Sequence, residues 1–271
     1  MDNIRKKILD CKRIVVKIGT SSLMLPDDSI DYQTIDRMAY VLTVLRKQGK
    51  EIVLVSSGAM GVGLNLLNLP QRPKTIPEQQ AIASVGQSEL MNLYSRFFSH
   101  YNQIVGQILM TRDIVEFPES RKNAENAFEQ LLQMGIIPIV NENDAVSVEE
   151  LDHQTKFGDN DRLSATVAEI ISADLLIMLS DVDGFYDKNP MTNPDAALFH
   201  TLHKVTDKEM ALAGGNGSKF GTGGMATKLT AAKHILSNNQ QMVLTKAVDP
   251  TVLFEILEGK EIGTYFVNED K

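Results

Sequence analysis

Apolar residues along this chain follow two alternating rhythms. Short β-branched runs such as Ile14-Val-Val-Lys-Ile18, Glu51-Ile-Val-Leu-Val55 and Gly135-Ile-Ile-Pro-Ile-Val140 read as buried strands, as do residues 104–110, 174–179, 242–245 and 263–267. Between them apolar positions recur at helical spacing. Residues 31–48 carry Ile35, Met38, Ala39, Leu42 and Leu45 and stop at Gly49, a natural C-cap. Residues 78–100 carry Ile82, Val85, Leu90, Leu93 and Phe97, a stripe that predicts core packing or a contact between subunits. Further helices are expected over 118–133, 163–171, 206–212 and 251–258, and through Leu229, Ala232, Ile235 and Leu236. Strand followed by helix, repeatedly, predicts an α/β fold with a mostly parallel sheet and helices on both faces.

Polar stretches interrupt this pattern where strands end, and in open α/β sheets that is where ligands bind. The richest runs from Asn141 to Ala165. Asn141-Glu-Asn-Asp-Ala-Val146 follows one strand, and Phe157-Gly-Asp-Asn-Asp161 launches the next helix. Asp144, Asp159, Asn160 and Asp161 thereby fall in two clusters, whereas an N-cap or turn needs one such residue. Acidic side chains with amides suit an amino group, a metal or another cation. Lys17 is a second candidate. A lysine inside an apolar strand is costly to bury unless it meets an anion; at an edge it would snorkel to water instead. Gly19-Thr-Ser-Ser22 follows at once, and small residues leave backbone N–H groups open to phosphate. Ser56-Ser-Gly-Ala-Met-Gly-Val-Gly63 offers hydroxyls and close backbone approach at a helix start, a seat for carboxylate or phosphate. Residues 214–228 hold six of the chain's 18 glycines and end on Lys228 at another helix start, which suits an anion; the bland alternative is a surface loop.

Composition narrows the chemistry. The 271 residues are 43% hydrophobic and 23% charged, ample for one large core or two small ones. A formal net charge of −8 argues against nucleic acid or an anionic membrane as the main partner. Cys11 is the only cysteine, which excludes disulfides within the chain and argues against a thiolate metal site. The five histidines are scattered and make no ligand set. The N-terminus is charged without an apolar signal core, and no apolar run approaches a membrane span, so a soluble, cytoplasmic protein is expected. Several familiar motifs fail. The glycines at 58, 61 and 63 miss the G-x-G-x-x-G spacing, and Val55 stands where a G-x-S-x-G elbow needs glycine. Lys228 is followed by Leu229 rather than the Ser or Thr of a Walker A loop. Asp181 and Asp183 open like an EF-hand loop, but no Glu closes it, which leaves a turn or a nucleotide-contacting loop. What remains is phosphoryl transfer: two lysines beside small-residue loops, with an acidic, amide-rich patch between them in sequence.

Val16-Lys-Ile-Gly-Thr-Ser21, Val55-Ser-Ser-Gly-Ala59, Ala83-Ser-Val-Gly-Gln-Ser88, Asn141-Glu-Asn-Asp-Ala-Val146, Phe157-Gly-Asp-Asn-Asp161 and Gly221-Thr-Gly-Gly-Met-Ala-Thr-Lys228 occur in this order. With them the whole chain resembles the amino acid kinase family, and the fourth and sixth motifs resemble its glutamate 5-kinase branch in particular. The resemblance implies an αβα sandwich and ATP-dependent phosphorylation of the L-glutamate γ-carboxylate to an acyl phosphate, the first step of proline synthesis. It also implies Mg²⁺ and feedback inhibition by L-proline at or near the glutamate site. Lys17 and Lys228 would stabilise the transferring phosphoryl group, with Asp161 orienting both amines. Ser57, Gly58, Asp144, Asp159 and Asn160 would surround glutamate, with Asp144 against its α-ammonium. Lys17, Gly19, Ser180 and Asp181 would contact ATP together with Thr222, Gly223, Gly224, Met225, Ala226, Thr227 and Lys228; no protein metal ligand is expected.

The expected organisation is one amino acid kinase domain over residues 1–271, with about 1–172 mainly serving the amino acid and about 173–271 mainly ATP. A homodimer or homotetramer is expected, supplying glutamyl phosphate to the next pathway enzyme. Many members carry an added C-terminal domain of the PUA type. This sequence ends soon after its last expected strand, so that domain, and RNA binding with it, is not expected. The competing readings are a sister kinase for N-acetylglutamate or aspartate, a non-catalytic sensor of glutamate, proline or nucleotide, and a dinucleotide-dependent oxidoreductase. Asp144 opposes the acetylated substrate, whose neutral amide would leave a carboxylate unpaired. Lys17, Asp161 and Lys228 oppose the sensor, and the missing glycine fingerprint opposes the oxidoreductase.

Overall fold

The computed structural model describes residues 3–111, 113–146, 160–213 and 224–269. Strands β1 (Arg13–Ile18), β2 (Glu51–Ser56), β3 (Val105–Met110), β4 (Ile137–Glu142), β5 (Leu175–Ser180), β6 (Thr201–Leu202), β7 (Gln241–Lys246) and β8 (Thr264–Phe266) form one sheet. Its order is β3-β4-β2-β1-β5-β7-β8-β6. Neighbours from β3 to β7 run parallel, while β8 lies antiparallel to β7 and parallel to β6. The helices are α1 (Tyr32–Lys47), α2 (Ala59–Leu66), α3 (Ile76–His100), α4 (Asp113–Glu116), α5 (Pro118–Gln133), α6 (Asn160–Ile170), α7 (Asp207–Ala213), α8 (Met225–Ser237) and α9 (Val252–Leu257), preceded by a 3₁₀ segment at Asn3–Asp10. The expected mostly parallel α/β sheet is what the chain forms.

Alternation along the strands divides the core into two layers. Ile14, Val16 and Ile18 pack on the face covered by Ile35, Leu42, Leu90 and Leu253. Val15, Val53 and Val55 pack on the other, against Phe128, Leu163, Val167 and Leu229. A sheet buried on both faces needs continuous apolar strands, which is the pattern the sequence showed. Lys17 stands two residues from Val15 and therefore on the same face, beneath α6 and α8.

Local chemistry fixes the element ends. The Asp31 carboxylate caps α1 by accepting from the Thr34 N–H at 3.0 Å and the Thr34 hydroxyl at 2.7 Å. Gly49 closes that helix at φ +89°, a left-handed conformation in which glycine is unstrained. Two boundaries differ from expectation. β4 continues through Asn141 and Glu142, which are buried despite being polar, and α6 begins at Asn160 rather than at Leu163. Helical periodicity detects a helix only where its apolar residues begin, so polar first turns escape it.

Of the α3 stripe, Ile82, Leu90 and Leu93 turn inward at 5%, 1% and 4% exposed, Phe97 is half-buried and Val85 is 37% exposed. Its inward members belong to the core. The glycines of α2 also differ from expectation. A Cβ at Gly63 would lie 2.3 Å from the Ile82 carbonyl oxygen, and one at Gly86 would lie 1.8 Å from that of Ala59. These glycines let α2 and α3 cross at backbone contact, while a Cβ at Gly61 would meet the Met24 and Thr20 side chains at 3.3 Å.

Arg5 comes from a charged N-terminal run yet is fully buried. Its guanidinium donates to the carbonyls of Lys260, Ile262, His200 and Gly263 at 2.8–3.1 Å and stacks over the Tyr265 ring at 5.5 Å. It joins the first segment to the last strand. Arg5→Met is expected to cost about 2 kcal/mol, because the carbonyls it serves lose a shared charged donor. Urea unfolding checks this, and an unchanged midpoint would show that water replaces the guanidinium freely. Cys11 is likewise interior; burial, aided by the Asp174 charge, pushes its thiol up to about 12. No helix among the described residues is long and apolar enough to cross a membrane.

Candidate active site

The carboxyl edge of the sheet gathers the functional side chains. Lys17, near the end of β1, reaches Asp161 in the first turn of α6, with Nζ 2.6 Å from Oδ1. Lys228, in the first turns of α8, approaches the same carboxylate with Nζ 3.2 Å from Oδ2. The Thr227 hydroxyl lies 2.9 Å from Asp161 Oδ2 and 2.7 Å from the Gly224 carbonyl oxygen, sharing one proton between two acceptors. Lys17 and Lys228 are 7% and 5% exposed and Asp161 is fully buried. Burial alone would raise the Asp161 carboxyl. The Lys17 and Lys228 charges, with hydrogen bonds from Lys17 and Thr227, outweigh it and hold the group down to about 2. Asp161 is therefore an anion at any physiological pH and serves as a fixed post for two amines. These three groups sum to one positive charge where backbone and glycine stand close, a setting suited to phosphate.

The surrounding glycines keep that place open. A Cβ at Gly19 would come within 3.5 Å of Lys17 Nζ, in the path of an incoming anion. Gly58 holds φ +111° as the N-cap of α2, a conformation side chains avoid. Beside it, the Asn160 amide donates to Ser57 Oγ at 2.7 Å, while Asn160 Oδ1 is buried with no hydrogen-bond partner among the described residues. Behind it, Ser56 Oγ and the Tyr94 hydroxyl of α3 lie 2.7 Å apart, which locks the end of β2. On the other side of β1, Ser180 ends β5 and donates to Asp181 Oδ1 at 2.9 Å. Met225 and Ala226 open α8 half-buried near Gly224.

Among the described residues of the acidic stretch, Asp161 sits in the ion triad, Asn160 sits on Ser57, and Asp144 lines a cleft of about 260 Å³ between α3 and the ends of β3 and β4. The cleft is lined by Ser84, Gln87 and Ser88 on one side and by Glu142 and Asp144 on the other. Asp159, Thr222 and Gly223 lie outside the described residues. Sequence reading gave no role to Asn141, Gln87 or Tyr94. The first two were visible only as members of motifs, and Tyr94 looked like one more apolar position on its helix.

With that geometry in place, comparison with known proteins is decisive. The sequence model of the amino acid kinase family matches residues 12–246. The chain belongs to the amino acid kinase family. Within it, the glutamate 5-kinase of Enterococcus faecalis is 59% identical over 264 residues, covering 97% of both chains. That of Listeria monocytogenes is 58% identical over 266 residues, covering 98% of this chain and 96% of the other. That of Lactococcus lactis is 58% identical over 262 residues, covering 97% of each. The resemblance drawn from motifs is borne out over the whole chain. Solved structures agree in fold at much lower identity. UMP kinase from Bacillus anthracis superposes with a TM-score of 0.65 at 16% identity, covering 96% of this chain and 97% of its own. Isopentenyl phosphate kinase from T. acidophilum superposes at 0.63 and 16%, covering 94% of this chain and 100% of its own. These likenesses speak for the fold alone, the αβα sandwich of the family.

Proposed function

We propose that this amino acid kinase transfers the γ-phosphoryl group of ATP to the γ-carboxylate of L-glutamate, giving L-glutamyl 5-phosphate and ADP, the first step of proline synthesis. The observation that carries the reading is the buried Lys17–Asp161–Lys228 set at the carboxyl edge of the sheet. The choice of glutamate rests on the curated relatives of that name. A side-chain carboxylic acid ionises with a pKa of about 4.3, so at neutral pH a γ-carboxylate oxygen attacks Pγ with no proton to remove. The bridging bond from Pγ to the ADP oxygen breaks on the opposite side, and ADP leaves with the electron pair. Such a step needs positioning and charge neutralisation, not a general base. Asp161, locked between two amines, is fitted to the first and useless as the second.

Lys17 and Lys228 hold the phosphoryl oxygens through transfer, and Gly19 and Gly58 admit backbone N–H groups to them. Ser57, Asn160 and Asp144 bind glutamate, with Asp159 assigned to the same site on the motif alone. Gly224, Met225, Ala226, Thr227 and Lys228, with Ser180, Asp181, Thr222 and Gly223, bind ATP. The division of labour follows the strand order: amino acid on the β2, β4 and β3 side, nucleotide on the β5 and β7 side. This supports a single domain whose residues up to about 172 serve mainly the amino acid and whose remainder serves mainly ATP. For Mg²⁺, no group of three or more His, Cys, Asp or Glu converges among the described residues. The described residues do not by themselves form a metal cage, and no step is assigned to a protein-bound ion; Mg²⁺ binds commonly through substrate phosphates with few carboxylates. Inhibition by L-proline, assembly into dimers or tetramers, a cytoplasmic location and delivery of product to the next enzyme belong to the same proposal, on the family resemblance.

The test is ADP release with Mg-ATP and L-glutamate, with hydroxylamine present to trap the acyl phosphate, beside N-acetyl-L-glutamate and L-aspartate. Hydroxamate with L-glutamate only, reduced by L-proline, is expected. Turnover of another acid would keep the lysines and overturn the substrate. No turnover with any acid, while ligands still bind, would overturn the kinase reading in favour of a sensor.

A further inference from the structure

We infer that Gln87 is a specificity-determining residue that reads the α-carboxylate of the amino acid substrate, with Asn141 as the positioning residue that aims it. The inference deepens the proposed glutamate kinase reading and rests on it. Asn141 is 2% exposed at the end of β4, and its Oδ1 accepts the backbone N–H of Glu142 at 2.9 Å. A backbone N–H can only donate, so the Asn141 amide has one orientation. Its Nδ2 then donates to Gln87 Oε1 at 2.7 Å. The carbonyl of Gln87 is thereby occupied, and the group left to face the cleft is its NH₂, a pure donor.

The rest of the cleft agrees with that polarity. Ser84 and Ser88, one helical turn apart on α3, line the same wall as Gln87 and add hydroxyls. Across from α3, the β3 and β4 side carries the acids Glu142 and Asp144 together with the amides Gln107 and Asn143. A donor wall facing an acidic wall complements a zwitterion, with its carboxylate on the amide and its ammonium on the acids. Strand order supplies the direction. Only β2 lies between β4 and β1, so a substrate held here extends past Ser57 and Gly58 toward Lys17 and the transferring phosphoryl group. Gln87 is also held from behind, because Gly86 sits at backbone contact with Ala59 and fixes α3 against α2. A purely structural role, a tie between α3 and β4, would predict the same hydrogen bond but no effect on substrate choice.

The experiment compares L-glutamate with its α-carboxamide, which keeps the ammonium and the γ-carboxylate but has a neutral α-group. Wild type, Gln87→Leu and Asn141→Asp are assayed by ADP release, with the α-carboxamide also measured as a competitor of L-glutamate and folding checked by thermal melting. Asn141→Asp leaves Gln87 intact, but the new carboxylate accepts from the Gln87 NH₂ and turns its carbonyl to the cleft. Each variant is expected to raise KM for L-glutamate about 10- to 100-fold, the worth of a hydrogen bond to a charged group. Changes in kcat and in KM for ATP should stay within about threefold, since Gln87 does not touch the phosphoryl group. The preference for L-glutamate over the α-carboxamide should fall by the same factor. A folded variant that still excludes the α-carboxamide as strongly as wild type overturns the inference. Wild type that makes no glutamyl phosphate at all fails the broader reading instead, so the two failures are distinct.

Discussion

Lys228→Met is expected to lower kcat by roughly 10³-fold or more while the protein stays folded, which is the scale lost when a cation on a transferring phosphoryl group is removed. Lys228 projects from the start of α8 into a place that is 5% exposed, with its amine 3.2 Å from Asp161. Methionine fills nearly the same volume without the charge, so packing around the α8 helix is kept. Asp161 also keeps Lys17 at 2.6 Å and is not left without a counter-ion. The stability cost should accordingly be small beside the kinetic one. Single-turnover phosphoryl transfer separates the effect from ATP binding: KM for ATP should rise modestly and the chemical step should collapse. A variant that keeps most of its kcat would take Lys228 out of the mechanism and leave it as a structural partner of Asp161.

The parts of this site were legible in the sequence to different depths, for reasons that are physical. Lys17 stood out because a charged residue inside a β-branched run has to be compensated. Period-two alternation then placed it with Val15 rather than with Val16, and that face proved to be the α6 and α8 side. Asp161 stood out through its clustering with Asp159 and Asn160. That Lys17, Asp161 and Lys228 meet was not readable. It follows from β1 lying between β2 and β5, an order set by crossover connections and not by periodicity. The roles of Ser84, Ser88 and Gln87 were not readable for a related reason: they depend on which strand end faces α3. The antiparallel direction of β8 and the two-residue β6 escaped, since strand direction leaves no mark on composition and two residues make no pattern. Asn141 and Glu142 looked like loop because they are polar. In the fold they are strand residues paired with Leu109 and Met110 of β3, and both are themselves buried. Polar strand ends of this kind are where a sheet trades stability for a site, so reading by hydrophobicity fails there first.

Asp161→Asn probes the other half of the same device. It removes the charge but not the volume, and leaves Lys17 and Lys228 facing each other in a buried place across a neutral amide. Breaking a buried ion pair from one side costs several kcal/mol because the remaining charges lose their compensation. About 3 kcal/mol of stability should be lost at neutral pH, and turnover should fall with it because the two amines are no longer aimed. The pH dependence gives the sharper signature. The Asp161 carboxyl is lowered from 3.8 to about 2 in the fold, so the unfolded chain binds its proton first. Its contribution is complete above the unfolded value, falls away as the pH drops from about 4 through 2, and is worth on the order of 2 kcal/mol by linkage. Asn titrates nowhere in that window. The gap in urea midpoint between wild type and Asp161→Asn should therefore be widest at pH 5 and above. It should narrow as acid is added, followed as far down as the wild type remains folded. A gap independent of pH would mean that Asp161 stabilises the fold through its hydrogen bonds and packing, and the two lysines would then have to be held apart by something other than its charge.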